Sequence, residues 1–423
     1  MKRRILTFSA GLAATLSATT ALADGVTLRT LMEDVPETRI VESLLPEFEA
    51  NTGIKVEIEK VGYGDMHDKL VAQLVGGQSS YNLLTVDFLW AGEFPAAGWL
   101  QELGPYVDES KFDLSAFIPS TLDLLGRTDD ALYLIPMYNY SMGLIYRKDM
   151  LEDAALKSAY EAKFNKPLAM PQTLDDYVAL AKFIKAEGKV NGAAMQGQRG
   201  DPNSMEFSNY LFASGGEYLN ADGSVALDSD AGRKALELYK DAINNAAQTG
   251  ALSATLDDTL RLMCAGDSFS MVTYWWMLPQ LDDATACPAV AGKVDMAVMP
   301  GGHGESGGWG WGIPANVSDE EKEAAWTFIT WVQSHDVEVQ RALQGHAPVR
   351  ADVFDDPAVL AKYPFYARAK DIVASGKSFP VFTYSPQYED VLGTQLSLAA
   401  SNEVDVPTAI TAAATGLQEL LAK

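Results

Sequence analysis

The sequence predicts an α/β protein built as two doubly wound lobes. Three observations carry that prediction. The chain has 423 residues, more than one hydrophobic core comfortably serves. After its first residues it runs strand, helix, strand, helix, strand, the pitch of a largely parallel sheet with covering helices. Strand signals then return beyond residue 268, as they would if each lobe were assembled from separated segments.

Residues 1–23 stand outside the fold. Lys2, Arg3 and Arg4 precede an uncharged apolar run from Ile5 to Thr20, and Ala21-Leu22-Ala23 supplies an A-x-A site before Asp24. These are the three parts of a cleavable secretion signal. The run is short for a membrane span and broken by Ser and Thr, and no cysteine follows the cleavage site. A soluble periplasmic product without a lipid anchor is therefore expected.

Gly25 to Met32 has strand composition. Glu37 to Glu49 places Ile40, Leu44 and Phe48 at helical spacing, with Pro46 as a blemish, and Ile54 to Glu59 alternates apolar and charged residues. Asp65 to Val75 reads as a second helix and Asn82 to Phe88 as a nearly continuous apolar strand. Ligands of such sheets bind beyond the carboxyl ends of the strands, which here are Glu33-Asp34, Tyr63 and Asp87. An extended segment, Pro136 to Tyr140, leads into a strand from Gly143 to Arg147. Thr173-Leu174-Asp175-Asp176 and Ser318-Asp319-Glu320-Glu321 have the form of helix-opening caps. A long helix follows Ser229-Asp230, and strands are expected at Ser268–Tyr274 and Val294–Met299. The implied division is residues 24–136 plus about 298–346 for one lobe and about 140–297 plus 350–423 for the other. Crossings fall near Pro136, Pro300 and Arg350.

The formal charge is −25, more negative still without the three basic residues at the start. Such a surface repels phosphate backbones and anionic headgroups, so neither nucleic acid nor membrane insertion is expected. Two cysteines, Cys264 and Cys287, read as one disulfide in an oxidising compartment, with two separate thiols as the alternative. The four histidines are scattered, and no metal or cofactor site is expected. Gly302 to Gly307 spells G-x-G-x-x-G but precedes a Trp-rich strand-like segment instead of a helix, so it is not a dinucleotide fingerprint. There is no G-x-S-x-G and no P-loop lysine.

Several blocks, in order, resemble the extracellular solute-binding proteins of bacterial ABC importers, in the carbohydrate-binding group that includes maltose-binding protein. They are LLPEFEANTGIKVEIE, VDFLWAGEFPAAGWLQEL, IPMYNYSMGLIYRKDML, LFASGGEYLN, MCAGDSFSMVTYWWM, GGWGWGIPANVSDEEKEAAWTFITWV and APVRADVFDDPAV. The resemblance implies type II periplasmic-binding-protein architecture: two lobes that close at a hinge over a sugar, oligosaccharide or polyol and present the closed form to permease subunits. A monomer without enzymatic activity is expected.

A sugar presents hydroxyl edges and apolar faces, so its binder needs carboxylates or amides and aromatic planes. Asp87, Glu33 and Tyr63 qualify by lying at predicted strand ends. Trp275 and Trp309 are chosen from two tryptophan pairs, the latter among glycines expected to leave room for a ligand. Tyr138 and Asn139 lie on the first crossing and Arg350 on the third. Substituting Trp309 or Asp87 by Ala is then expected to weaken binding without changing stability. A secreted glycosidase, and the same fold with a peptide, polyamine or anion as ligand, are the rival readings.

Overall fold

The computed structural model describes residues 25–77, 79–128 and 131–423; the secretion signal expected over residues 1–23 lies outside them. Strand β1 (Thr27–Glu33) leads into helix α1 (Pro36–Thr52), then β2 (Lys55–Val61), α2 (Tyr63–Val75) and β3 (Leu84–Asp87). Helix α1 opens with Pro36, whose fixed φ and missing N–H suit a first turn, and stops at Gly53 in the left-handed region with φ 75°. Its buried face is Ile40, Val41, Leu45 and Phe48, and Pro46 sits on the exposed side. Tyr63, expected at a strand end, is instead the first residue of α2.

Next come β4 (Ile135–Asn139), β5 (Met142–Arg147), α3 (Leu174–Glu187), α4 (Asp201–Ala213), α5 (Asp230–Asn245) and α6 (Leu256–Ala265). Strands β6 (Ser270–Tyr274), β7 (Val294–Ala297) and β8 (Gly308–Gly312) follow. The helices that follow include α7 (Asp319–Val332), α8 (His335–Ala342), α9 (Ser385–Ala400) and α10 (Val406–Leu421). Thr173 caps α3 through the Asp176 N–H, and α7 opens with the full Ser318/Glu321 capping box. A third box, Thr255 with Asp258, opens α6.

The strands named here make two sheet regions, the first composed of two hydrogen-bonded sheets, β1-β2 and β3-β8-β4, and the second of β6-β5-β7, and neither region is largely parallel. In the first, β1 and β2 pair in parallel, and β3 is tied to β1 through the Asn82 and Leu83 N–H groups donating to the Arg29 carbonyl. Strand β8 then enters antiparallel between β3 and β4. It returns from the far part of the chain and so reaches the sheet from the opposite end, a direction that a short Gly-Trp strand does not encode. In the second sheet β5 lies between β6 and β7, antiparallel to both. The main core runs continuously from Leu28 and Leu31 through Phe328 and Ile329 to Tyr388 and Leu417.

Cys264 and Cys287 are joined in a disulfide that ties the end of α6 to the loop before β7. The bridge spans 23 residues. Replacing both by Ser is expected to lower stability by about 3 kcal/mol through the freed loop entropy, measured as a shift of the urea unfolding midpoint.

Candidate functional site

The register of the first sheet assembles the site. On β8, Trp309 pairs with Asp87 of β3 on one side and Tyr138 of β4 on the other, so a carboxylate, an indole and a phenol stand abreast at the carboxyl end of β3. A register shift between Trp309 and Gly310 separates the fates of the two tryptophans. Trp311 is fully buried edge-on to Phe328 of α7, at 5.3 Å between ring centres, while Trp309 faces a cavity. The neighbouring glycines do not make room for a ligand. A Cβ at Gly308 would lie 2.4 Å from the Tyr138 carbonyl oxygen, and one at Gly310 would lie 2.8 Å from Leu134 Cβ. Their bareness serves strand packing.

The cavity holds about 450 Å³, within the ~300–1,000 Å³ of small-molecule sites. One wall comes from the first sheet and its loops: Glu33, Tyr63, Asp87, Tyr138, Tyr140 and Trp309. The opposite wall is Asp201 and Met205 of α4, Asp257 and Leu260 of α6, and Tyr274 and Trp276 at the end of β6. The aromatic rings are organised. Trp309 lies nearly parallel to Tyr138 at 6.4 Å and takes the edges of Tyr63 and Trp90 at 6.1 and 5.4 Å. Across the cavity Tyr274 and Trp276 stack at 5.6 Å with 4° between planes, and Tyr140 meets Tyr274 at 5.2 Å. Larger space, about 550 Å³, opens beside Gly92, Asp123, Arg127, Tyr133 and Phe382, but away from these strand ends.

Asp87 is 1 % exposed and does two jobs. It accepts the Leu89 N–H at 3.0 Å, capping the turn that follows β3, and the Tyr140 hydroxyl donates to its other oxygen at 2.8 Å. Burial nevertheless pushes its carboxyl up to about 8. Burial, then the Asp201 charge, pushes Glu33 up to about 7. Asp201 rises to about 6 through burial, although a hydrogen bond with the Glu389 carboxyl opposes the rise.

Five of the eight candidates therefore line one cavity: Asp87, Trp309, Tyr138, Tyr63 and Glu33. Three do not. Trp275 is fully buried among Phe354, Phe365 and Tyr366, because the chain turns into a 3₁₀ segment after Tyr274 and sends Trp276 to the cavity instead. Asn139 points to the other side of β4, where its amide donates to Thr121 and its carbonyl accepts from the Ser141 N–H and hydroxyl. Arg350 holds Asp352 with two N–H groups at 3.1 and 2.8 Å, donates to the Gln333 carbonyl, and lies over the Phe117 ring. Sequence reasoning missed Asp201, Tyr274 and Trp276. For Asp201 a signal existed: Gly200-Asp201-Pro202 is a helix start, with Gly200 at φ 107° and Pro in the first turn.

Two α/β lobes with a cavity at the strand ends, walled by aromatics and acids from both, define a class of binding protein that encloses a small solute. The chain belongs to the bacterial extracellular solute-binding protein family, whose model matches residues 33–339. It is 24 % identical to a probable amino-acid ABC transporter periplasmic-binding protein, y4oP, of Sinorhizobium fredii, over 97 % of this chain and 94 % of that one. It is 25 % identical to the erythritol/L-threitol-binding protein of Mycolicibacterium smegmatis, over 79 % and 72 % of the two chains. Among solved structures, a solute-binding protein of Agrobacterium radiobacter in complex with ribitol superposes with a TM-score of 0.82, at 28 % identity and covering 94 % of this chain and 99 % of that one. Maltose-bound MalE3 of T. maritima gives 0.81 at 26 % identity, covering 93 % and 100 %.

Proposed function

We propose that this chain, freed of residues 1–23, is the periplasmic solute-binding component of an ABC importer and takes a sugar, oligosaccharide or polyol between its lobes. The observation that carries the reading is the alignment of Asp87, Trp309 and Tyr138 across three strands. It sets a hydrogen-bonding carboxylate beside an apolar plane, the pair of surfaces that a ring or chain of alternating C–H and O–H groups requires. Relatives named for erythritol/L-threitol and mannitol, and the ribitol-bound structure, support the polyol end of the range.

In this reading the lobes are residues 24–136 plus about 298–346 and about 140–297 plus 350–423, and the protein works as a freely diffusing monomer. Solute touching Trp309 on one wall and Trp276 on the other is better held when the walls approach, so binding favours closure, and the permease subunits recognise the closed form. No bond is made or broken. A glycosidase needs two carboxyls roughly 5 Å or more apart astride the scissile bond, whereas Asp201 and Glu389 share a hydrogen bond with each other.

Calorimetric titration of residues 24–423 with sugars, polyols, sugar acids and peptides is expected to show saturable one-site binding by a sugar or polyol, with the ligand recovered unchanged. Turnover of a glycoside, or saturable binding confined to peptides, would overturn the assignment.

A further inference from the structure

The charges around the cavity do not balance. Of the carboxylates that line it, Asp34 is paired with Arg39 at 2.7 Å and Glu37 with His346 at 2.5 Å. Asp257 is exposed to solvent. The remaining three, Glu33, Asp87 and Asp201, have no ion-pair partner among the described residues, and no Lys, Arg or His lines the cavity. Asp201 Oδ1 is buried without a hydrogen-bond partner.

Independent features mark the same space as prepared for a ligand. The indole N–H of Trp276 is buried with no hydrogen-bond partner among the described residues. It belongs to a residue of the cavity wall, where a ligand would supply the missing partner. Tyr63, Tyr140, Tyr274 and Trp276 line the same cavity as the three acids, and aromatic rings together with carboxylates suit an ammonium group.

Resting on the reading of this cavity as the solute site, we propose that its solute is an amino polyol or amino sugar, whose protonated amine sits among Glu33, Asp87 and Asp201 and whose hydroxylated frame lies on Trp309. A neutral polyol satisfies hydrogen bonds but brings no countercharge, so Asp87 and Glu33 keep much of their protonation at neutral pH. A solute bearing phosphate or carboxylate finds no Lys, Arg or His on the wall to pair with. A cation answers both needs, with a charge-assisted hydrogen bond that is shorter and stronger than a neutral one.

Matched ligands test this. D-Glucitol, 1-amino-1-deoxy-D-glucitol, its N-acetyl derivative and D-gluconate differ at one carbon, and each is titrated calorimetrically into residues 24–423 at neutral pH. The amine is expected to bind at least tenfold more tightly than glucitol, the N-acetyl derivative to lose that advantage, and gluconate to bind weakest. In Asp201→Asn, and in half-buried Glu33→Gln as a second variant, the preference is expected to fall severalfold, with melting temperature confirming a folded protein. Saturable binding of glucitol as tight as that of the amine overturns the amine inference and leaves the solute site standing. A preference unchanged in both folded variants overturns the seating of the cation. Absence of binding by every member of this series and of the wider sugar and polyol series overturns the site as well.

Discussion

Glu338→Gln is expected to destabilise the protein by about 3–5 kcal/mol, more than any surface substitution, because it strips the countercharge from a fully buried group of ions. Glu338, Arg341 and His346 are each 0 % exposed and Glu37 is 2 % exposed. Arg341 donates to Glu338, and His346 contacts Glu37 at 2.5 Å through Nδ1 and Glu338 at 3.3 Å through Nε2. Arg341 also donates to the Met137 carbonyl, and Glu37 accepts the Ala347 N–H. The group thus clamps the start of α1, strand β4 and the loop after α8. Replacing Glu338 and Arg341 together by Leu and Met is expected to recover part of the loss, since no lone charge remains.

The same group shapes stability against pH. Burial and Arg341 lower the His346 constant, but Glu37 and Glu338 outweigh them and raise it. Its stabilisation is complete below the ordinary histidine value and is lost as pH rises through the raised one. Burial raises the Glu338 constant, but Arg341 and His346 outweigh it and lower the constant. That contribution is present above the ordinary carboxylate value and is lost as pH falls through the lowered one. In denaturant midpoints measured from pH 3 to 9, the loss on the alkaline side is expected to be smaller in His346→Gln, while the part owed to the raised Glu33, Asp87 and Asp201 persists.

Trp309→Ala is expected to weaken solute binding by roughly 30- to 1,000-fold, the ~2–4 kcal/mol of a central aromatic contact. Its burial at 3 % exposure means stability falls too, by about 3–5 kcal/mol, so the sequence-based expectation of an unchanged melting temperature does not hold. Trp309→Phe separates the effects by keeping a ring against Tyr138 and Tyr63. It is expected to unfold closer to wild type and still bind severalfold more weakly. Unchanged affinity in folded Trp309→Ala would make Trp309 a wall and not a contact.

Local structure was legible wherever a side chain announces its own environment. Alternation from Ile54 to Glu59 marked β2, and Ser318 with Glu321 marked α7, because each pattern is set by neighbours in sequence. Strand direction was not legible: β8 is fixed by where the chain re-enters the sheet, not by its own five residues. Counting by twos explains both a success and a failure at the site. Residues two apart in an extended segment share a face, so Tyr138 and Tyr140 both line the cavity and Asn139 faces away. After Tyr274 it failed, because a 3₁₀ turn changes the period and exchanges Trp275 for Trp276. Arg350 was ambiguous because an arginine beside a crossing suits a ligand or a neighbouring Asp352 equally well, and only the fold shows which is within reach.

The insertion of β8 between β3 and β4 also sets the order in which the protein can mature. A nascent chain that has reached Phe269 already contains β1 to β4, yet β3 and β4 still lack the strand that joins them. Pairing Trp309 with Asp87 closes a very long loop, a slow event for an entropic reason. The first sheet is therefore completed only after most of the chain has been synthesised. Until then its edges remain open.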